Sequence, residues 1–310
     1  MSSHPGPMPP LNKALQAWVL KAFPRDTAQG VDYLHPAGDP GLFGPASVTW
    51  RIHADFPGML AGGLCALMLQ TLHPRALAAI WDNSRFRQDL VGRLRRTTAF
   101  VGGTTYAPLA AAEHMIERVR SIHAGIRGTS ADGEPYSADD PELLVWVHVT
   151  EAYAFLQGFR RYGPMPVPDW AADAYYNEVR CIAQALGARD VPSSQAQVHH
   201  YLGAVRGQLR YDERSREVLR VLGTIRLPVP APALSRELFM HAGAALLPGW
   251  AGTMLRHTPM QRARMRIAAA TLRGLAPAFR ASLPDGIAAQ SCRRLGLEPE
   301  LLHRFVPPSR

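Results

Sequence analysis

Residues 143–159 read LLVWVHVTEAYAFLQGF, an apolar and aromatic run that contains one histidine, His148, and one acid, Glu151. In a helix, His148, Ala152 and Phe155 lie on one face, because they are spaced i, i+4 and i+7. The small alanine beside the histidine leaves room there for a flat group. The stretch therefore predicts a buried helix whose histidine is either a packed core residue or a ligand.

Helical periodicity continues through almost the whole chain. Apolar residues recur at three- and four-residue spacing, and no stretch alternates strictly for long enough to require a strand. The polar segment 127–141 is predicted to be a surface loop, and the proline-rich segment 227–234 a stiff connector. Neither segment marks a domain boundary. The sequence predicts an all-α fold and one globular domain over residues 1–310, with the best-supported core at residues 58–162.

Helix boundaries follow from capping residues and glycines. Ser84 is predicted to cap a helix that begins near Phe86, and Pro141, after two aspartates, is predicted to open the helix that contains His148. The pair Gly102–Gly103 and the single Gly187 are predicted to end helices.

Composition sets limits on partners and compartment. The 310 residues include 34 basic and 25 acidic side chains, and the formal net charge is +9. The arginines are spread along the chain without a basic tract, so no nucleic-acid partner is predicted. Three scattered cysteines form no metal motif, and the N-terminus lacks the order of a signal peptide. The most apolar window, residues 59–72, is too short to span a bilayer. A cytoplasmic protein without a stable membrane span is predicted.

Several chemistries are excluded by missing motifs. A di-iron helical protein needs paired Glu-x-x-His motifs, and this pattern occurs once, at Glu300 and His303. HExxH, a P-loop, GxGxxG after a strand and GxSxG are all absent from the sequence. The remaining candidates are histidines and arginines on apolar helices.

A second group of polar residues lies upstream of His148. Arg93 and Thr97 are spaced i, i+4, with Arg96 beside them, on a helix that is otherwise largely apolar. His73 lies where Pro74 interrupts a helix, which can orient a side chain. Each has an ordinary explanation as well. The arginines suit a solvated face, the threonine can bond back to its own helix, and the histidine can be structural.

At this point two blocks of sequence resemble a known family. The run GGLCALMLQTLHPRALAAIWDNSRFRQDLVGRLRRTTAFV, residues 62–101, and the later VRSIHAGIRG and DPELLVWVHVTEAYAF are similar to the rubber oxygenases (latex-clearing proteins) and to the fungal oxygenase of mycophenolic acid biosynthesis. The similarity spans about residues 62–162. Each motif alone is loose, whereas their order and spacing together are specific.

The resemblance implies an all-helical fold that holds a non-covalent haem b between its core helices. The histidine of the Trp-Val-His motif corresponds to His148, which is therefore the expected iron ligand. The family's Arg-x-x-x-Thr pair falls on Arg93 and Thr97, which are expected to support catalysis near the haem. Arg96 holds the basic position before the threonine and, with His73, is a candidate haem-binding residue.

One difference from the family concerns the mechanism. Rubber oxygenases have a glutamate upstream of the Arg–Thr pair that acts as a base, and this chain has only Asp82 and Asp89 between His73 and Arg93. The absence of an export signal also argues against an extracellular polymer. An apolar small molecule, such as an isoprenoid or another alkene, is the expected substrate.

The leading hypothesis is a haem b-dependent oxygenase in which iron held by His148 activates O₂ for addition to this substrate. Two alternatives remain open at this stage. One is a haem-binding sensor or carrier without turnover, and the other is a helical scaffold without a cofactor, in which His148 is only packed.

Overall fold

The computed structural model describes residues 10–22, 30–225 and 232–307. Helices dominate this part of the chain, which confirms the predicted all-α class. The α-helices are α1 Pro10–Ala22, α2 Val48–His53, α3 Phe56–Gln70, α4 Pro74–Asn83, α5 Leu90–Tyr106, α6 Leu109–Ala124, α7 Pro141–Tyr162, α8 Asp169–Leu186, α9 Gln195–Ala204, α10 Glu213–Leu222, α11 Pro232–Ala244, α12 Gly249–Met254, α13 Pro259–Ala281 and α14 Ile287–Arg294. Two short 3₁₀ turns follow α9 and α14, at Val205–Gln208 and Pro299–His303.

Helix α7 is the central element, and its sequence explains both of its ends. The Asp140 side chain accepts a hydrogen bond from the Glu142 amide, and Pro141 begins the first turn, as predicted. The helix ends at Tyr162, followed by Gly163 in an extended conformation. Most of its side chains are buried, because it lies inside the main hydrophobic cluster. Residues 143–159 therefore form the buried helix that the periodicity indicated.

Helices α3 and α7 cross with their backbones almost in contact. A Cβ on Gly158 would lie 2.2 Å from the Gly58 carbonyl oxygen, and a Cβ on Gly62 would lie 2.8 Å from the Ala154 carbonyl oxygen. Such distances are too short for any side chain, so only glycine permits this approach. We call Gly58, Gly62 and Gly158 the glycine seam. It fixes the position of α7, and hence of His148, against α3.

A buried ion pair holds the ends of three helices together. Asp55 caps α3 by accepting from the Gly58 amide at 2.9 Å, and its other carboxylate oxygen lies 2.5 Å from Arg280 Nε near the end of α13. Arg280 also donates to the carbonyl of Tyr162, the last residue of α7. Burial raises the pKa of the Asp55 carboxyl, although Arg280 opposes this effect. The pair sets the relative positions of α3, α7 and α13 at one end of the glycine seam.

The predicted start of α5 is wrong. The helix begins at Leu90, and Asp89 is the residue that caps it, accepting from the Gly92 amide at 2.9 Å. Ser84 instead follows the last turn of α4. Phe86 is buried in the connection between the two helices, in a small cluster with α4 and α10. An aromatic residue buried in a turn has the same apolar signature as one on a helix, and this explains the error.

Two further boundaries differ from the sequence predictions. Gly102 and Gly103 do not end α5, which continues to Tyr106. Gly103 lies where α6 packs closely, since a Cβ there would meet the Met115 sulfur at 2.3 Å. The predicted polar loop 127–141 contains a small antiparallel hairpin formed by the strands β1 Arg127–Thr129 and β2 Pro135–Ser137.

Other boundaries agree with the sequence. Gly187 ends α8 in the left-handed conformation at φ 112°, as its glycine identity predicts. The short helices α2 and α12 were not predicted, because six residues are too few to establish a period. Most of the proline-rich connector 227–234 lies outside the described residues, although α11 already begins at Pro232.

Candidate functional site

His148 is a partly buried residue of α7. Burial lowers the pKa of the imidazole to about 4, so the ring is neutral at pH 7. It makes no hydrogen bond to any residue in the described part of the chain, and part of its surface stays accessible. A neutral imidazole with a free ring nitrogen is the form that binds a metal. The ring nitrogens of His148 are therefore available to bind a metal.

An apolar cavity of about 130 Å³ lies between α3, α5 and α7. Its α7 wall is formed by Glu151 and Phe155, which share a helix face with His148. The other lining residues are Phe56, Met59, Leu60, Gly63, Leu64, Ala66, Leu67 and Gln70 from α3, and Leu94, Thr97, Thr98 and Val101 from α5. The cavity opens to solvent on its α5 side, where Thr97 and Thr98 are exposed. A concave, mostly apolar surface with a few polar groups is typical of a ligand site.

Glu151 is the carboxyl group of this cavity, and it was not among the predicted site residues. Burial raises its pKa to about 7, and a hydrogen bond from Gln70 partly opposes the shift. The Gln70 amide also donates to the Val147 carbonyl at 3.4 Å and to the Thr150 hydroxyl at 3.3 Å, which ties the end of α3 to α7. A carboxyl that titrates near neutral pH in an apolar cavity is a candidate acid–base group. The feature of the sequence that could have identified Glu151 is its spacing of three residues from His148, which places both side chains on one face of the helix.

Thr97 is the predicted catalytic residue that the structure places on the cavity wall. Its hydroxyl donates to the Arg93 carbonyl at 3.2 Å. This is the hydrogen bond within its own helix that a threonine without a catalytic role would also form. The neighbouring Thr98 also lines the cavity. Two exposed threonines therefore line the α5 side of the cavity, and Glu151 lines its α7 side.

The two arginines lie outside this lining. Arg93 donates to the Ser84 hydroxyl at 2.8 Å, and burial, with a smaller contribution from Arg96, lowers the pKa of its guanidinium. Arg96 is exposed and pairs with Asp89 at 3.2 Å. The structure therefore places these residues on α5 beside Thr97 without bringing their charged groups into the cavity. Their assignment to the site stays a prediction.

His73 lies at the start of α4. Its Nδ1 accepts from the Ala76 amide at 3.5 Å, which caps the helix, and its ring lies 5.7 Å from that of Trp146. Burial, followed by the charge of Arg75, lowers its pKa to about 4. A capping role accounts for the position of this residue, and a haem-binding role for it stays a prediction.

Asp82 and Asp89, the two acids between His73 and Arg93, have other partners. Asp82 accepts from the Tyr136 hydroxyl at 2.7 Å, and Asp89 caps α5. Neither lines the cavity. Glu151 is therefore the acid that a ligand in this cavity would meet.

A buried hydrogen-bond network supports the wall behind Phe155. His53 Nδ1 lies 2.8 Å from the Thr105 hydroxyl, and its Nε2 lies 2.9 Å from the Tyr175 hydroxyl. Since Thr105 donates its proton to the Val101 carbonyl, it accepts from Nδ1, and Tyr175 consequently donates to Nε2. The His53 ring packs edge-on against Phe155, 5.4 Å between centroids. The network joins α2, α5 and α8 and fixes one wall of the cavity.

The titration of these buried groups predicts acid sensitivity. Burial lowers the pKa values of His53, His73 and His148 to about 3, 4 and 4, from an ordinary 6.5, so the unfolded chain binds more protons as the pH falls below about 6.5. Raised pKa values of Glu151 and Asp55 act in the opposite direction. We expect a net loss of about 1–3 kcal/mol of unfolding free energy per pH unit near pH 5.

Urea denaturation of the haem-free protein at pH 7, 6 and 5 measures this loss. Equal midpoints at pH 7 and pH 5 would contradict the assignment of these histidines as buried and neutral.

Within residues 10–22, 30–225 and 232–307, no group of three or more His, Cys, Asp or Glu side chains is arranged to hold a metal ion. The three cysteines are free, and Cys65 and Cys292 are buried. No helix of the described segments combines the length and hydropathy needed to cross a bilayer.

The fold and the site define a class of protein: an all-α protein with an apolar cavity lined by one carboxyl and two threonines. His148 lies outside that lining, on the same face of α7 as Glu151 and one turn before it. Residues 50–281 match the family described as ER-bound oxygenase mpaB/B'/Rubber oxygenase, catalytic domain. This match covers most of the chain, and the protein belongs to that family of oxygenases. It is accordingly an oxidoreductase.

The fold is similar to that of a solved structure of latex clearing protein in the closed state. The TM-score is 0.56 at 16% sequence identity, and the similarity covers 100% of this chain and 94% of the other. Among curated proteins, none matches the chain. The predicted family resemblance is confirmed.

Proposed function

We propose that the protein is a haem b-dependent oxygenase that acts on an apolar small molecule, with His148 as the iron ligand. The observation that carries the proposal is the buried, neutral imidazole of His148, which has no hydrogen-bond partner in the described structure. A packed core histidine normally has such a partner. Under the scaffold hypothesis solvent would have to satisfy this ring, whereas the proposal assigns it a ligand.

The residues near His148 suit a haem. Leu144 and Ala152 lie one turn before and one turn after it, and neither side chain carries a polar group that would need a partner. The absence of a multi-residue metal cluster from the described chain is compatible with this proposal, because a porphyrin brings four nitrogen ligands of its own and the protein needs to supply one imidazole. When bound, the haem would supply dioxygen activation.

The chain's own residues contribute positioning and polar contacts. The α3 wall excludes water and binds the apolar body of the substrate. The Glu151 carboxyl holds or accepts a proton near neutral pH, and the Gln70 amide keeps it oriented. The Thr97 hydroxyl can rotate from the Arg93 carbonyl to donate into the cavity. Arg93 and Arg96 add positive charge to the same helix.

An apolar substrate follows from the lining. Apart from Glu151, Gln70, Thr97 and Thr98, every side chain of the wall is apolar. Hydrogen-bond donors on a ligand would have few partners over most of this surface, and burying them there would oppose binding. An alkene with few polar groups fits this surface.

Titration of the purified protein with haemin tests the first part of the proposal. We expect a one-to-one complex with a Soret band, and oxygen uptake when the reduced complex meets a suitable alkene. A Soret band without uptake over a broad set of alkenes would favour a haem sensor or carrier instead.

The role of Thr97 is tested by Thr97→Val, which removes the hydroxyl and keeps the branched shape. If the hydroxyl donates to a group on which charge develops during the reaction, turnover should fall about a hundredfold with unchanged haem content. Oxygen uptake and the Soret band measure the two effects separately. Thr271→Val, on the exposed face of α13, is the matched control. Wild-type turnover in Thr97→Val would remove this residue from the catalytic set.

A further inference from the structure

Helix α13 has an exposed apolar strip in addition to its buried face. Its buried side is formed by residues such as Met265, Ala269 and Leu272. On the opposite side, an outer strip runs along the helix with alternating spacings of three and four residues. The members of this outer strip, all exposed, are Met260, Ala263, Ile267, Ala270 and Gly274.

The two large residues of this strip are well exposed. Met260 is 65% and Ile267 67% exposed, and Leu275 beside the strip is 39% exposed. Single exposed apolar residues are common on protein surfaces, whereas a row at helical spacing indicates a surface that contacts something apolar.

The charges on α13 itself have one sign. The sequence of α13 contains no acidic residue. Arg266 and Arg273 flank the strip on one side and Arg264 on the other, and none of the three forms an ion pair or hydrogen bond with a described residue. The remaining two arginines are occupied, since Arg262 donates to the His257 carbonyl and Arg280 pairs with Asp55.

We propose that this surface of α13 binds peripherally to an anionic lipid membrane, with the outer strip at the level of the acyl chains and Arg264, Arg266 and Arg273 among the headgroups. An apolar strip with basic flanks and no acid is the pattern of a helix that lies in the membrane interface. The net charge of +9 over the whole chain also favours binding to an anionic membrane. Long arginine side chains can extend from the strip towards phosphate groups.

A second copy of the chain is a poorer occupant of the strip. Pairing two copies through it would bring six unpaired arginines together without an acid to neutralise them. A membrane provides both the apolar layer and the negative charge, and it is also where apolar small molecules concentrate. The proposal concerns the surface only and does not depend on haem binding.

Flotation of the full-length protein with vesicles tests the proposal. Phosphatidylcholine vesicles with phosphatidylserine should bind the protein, and vesicles of phosphatidylcholine alone should bind it much less, with binding weakened by salt. Ile267→Asp should abolish binding. The double variant Arg266→Gln/Arg273→Gln should lower the partition coefficient about fivefold for each arginine removed.

Matched controls separate this site from general electrostatic attraction. Ile122 is 53% exposed on α6, so Ile122→Asp makes the same substitution on another helix. Arg189→Gln/Arg216→Gln changes the net charge equally through exposed arginines elsewhere. Circular dichroism checks that every variant is folded. The proposal is supported if vesicle binding is retained in both controls, abolished in Ile267→Asp and weakened in Arg266→Gln/Arg273→Gln. Equal losses in the controls, or no vesicle binding by the wild type, would overturn it.

Discussion

His148→Gly should abolish haem binding. The variant removes the imidazole that the proposal assigns to the iron, and the described structure offers no clustered set of ligands to replace it. We expect the Soret band and the oxygen uptake to disappear together. Circular dichroism should remain that of the wild type, because the lost side chain forms no hydrogen bond with the described residues.

Added imidazole provides the decisive control. The glycine leaves a space in which free imidazole can take the place of the missing ring, so the Soret band should return in proportion to its concentration. His123→Gln, which changes another partly buried histidine, on α6, should retain haem. Full haem occupancy in His148→Gly without added imidazole would show that another residue holds the iron, and the proposed function would lose its central assignment.

Gly158→Ala should lower the free energy of unfolding more than almost any other substitution that adds a single methyl group. The added Cβ would lie 2.2 Å from the Gly58 carbonyl oxygen, which is backbone and cannot rotate away. Helices α3 and α7 would have to separate. We expect a loss of about 3 kcal/mol or more of unfolding free energy, although alanine in a helix is normally favoured over glycine. Chemical denaturation measures this loss.

Gly274→Ala on α13 is the matched substitution. A Cβ there meets no atom within 4 Å, so the intrinsic preference for alanine should stabilise the protein by about 0.5–1 kcal/mol. If the free energy of unfolding falls in Gly158→Ala and rises in Gly274→Ala, the close contact outweighs helix propensity at Gly158. A stabilised Gly158→Ala would mean that the two helices are further apart than the glycine seam requires.

The fold could be predicted because helices carry a periodic signal. The apolar periodicity of residues 143–159 predicted both the helix and the face on which His148 lies. Pro141 predicted where that helix begins. The prediction was wrong where a buried residue belonged to a connection, as at Phe86, and where a glycine pair served close packing, as at Gly103. Periodicity does not distinguish a residue buried in a turn from one buried on a helix.

The site was predicted less completely, because it depends on contacts between helices far apart in sequence. Motifs singled out His148 and Thr97 as candidates, and of these two Thr97 lines the cavity. The partnership of Gln70 with Glu151 depends on where α3 crosses α7, and the sequence does not contain that crossing point as a pattern. Neither acid between His73 and Arg93 lines the cavity, and the acid that does, Glu151, follows His148 on α7.

The glycine seam has a practical consequence for redesign. Two of the three cavity walls, α3 and α7, touch through their main chains and leave no side chains between them that could absorb a change of shape. The third wall, on α5, contributes Leu94, Thr97, Thr98 and Val101 without such contacts. Directed evolution towards a different apolar substrate should therefore randomise Leu94, Thr98 and Val101 on α5 and keep Thr97, since new side chains there can alter selectivity at little cost in expression yield.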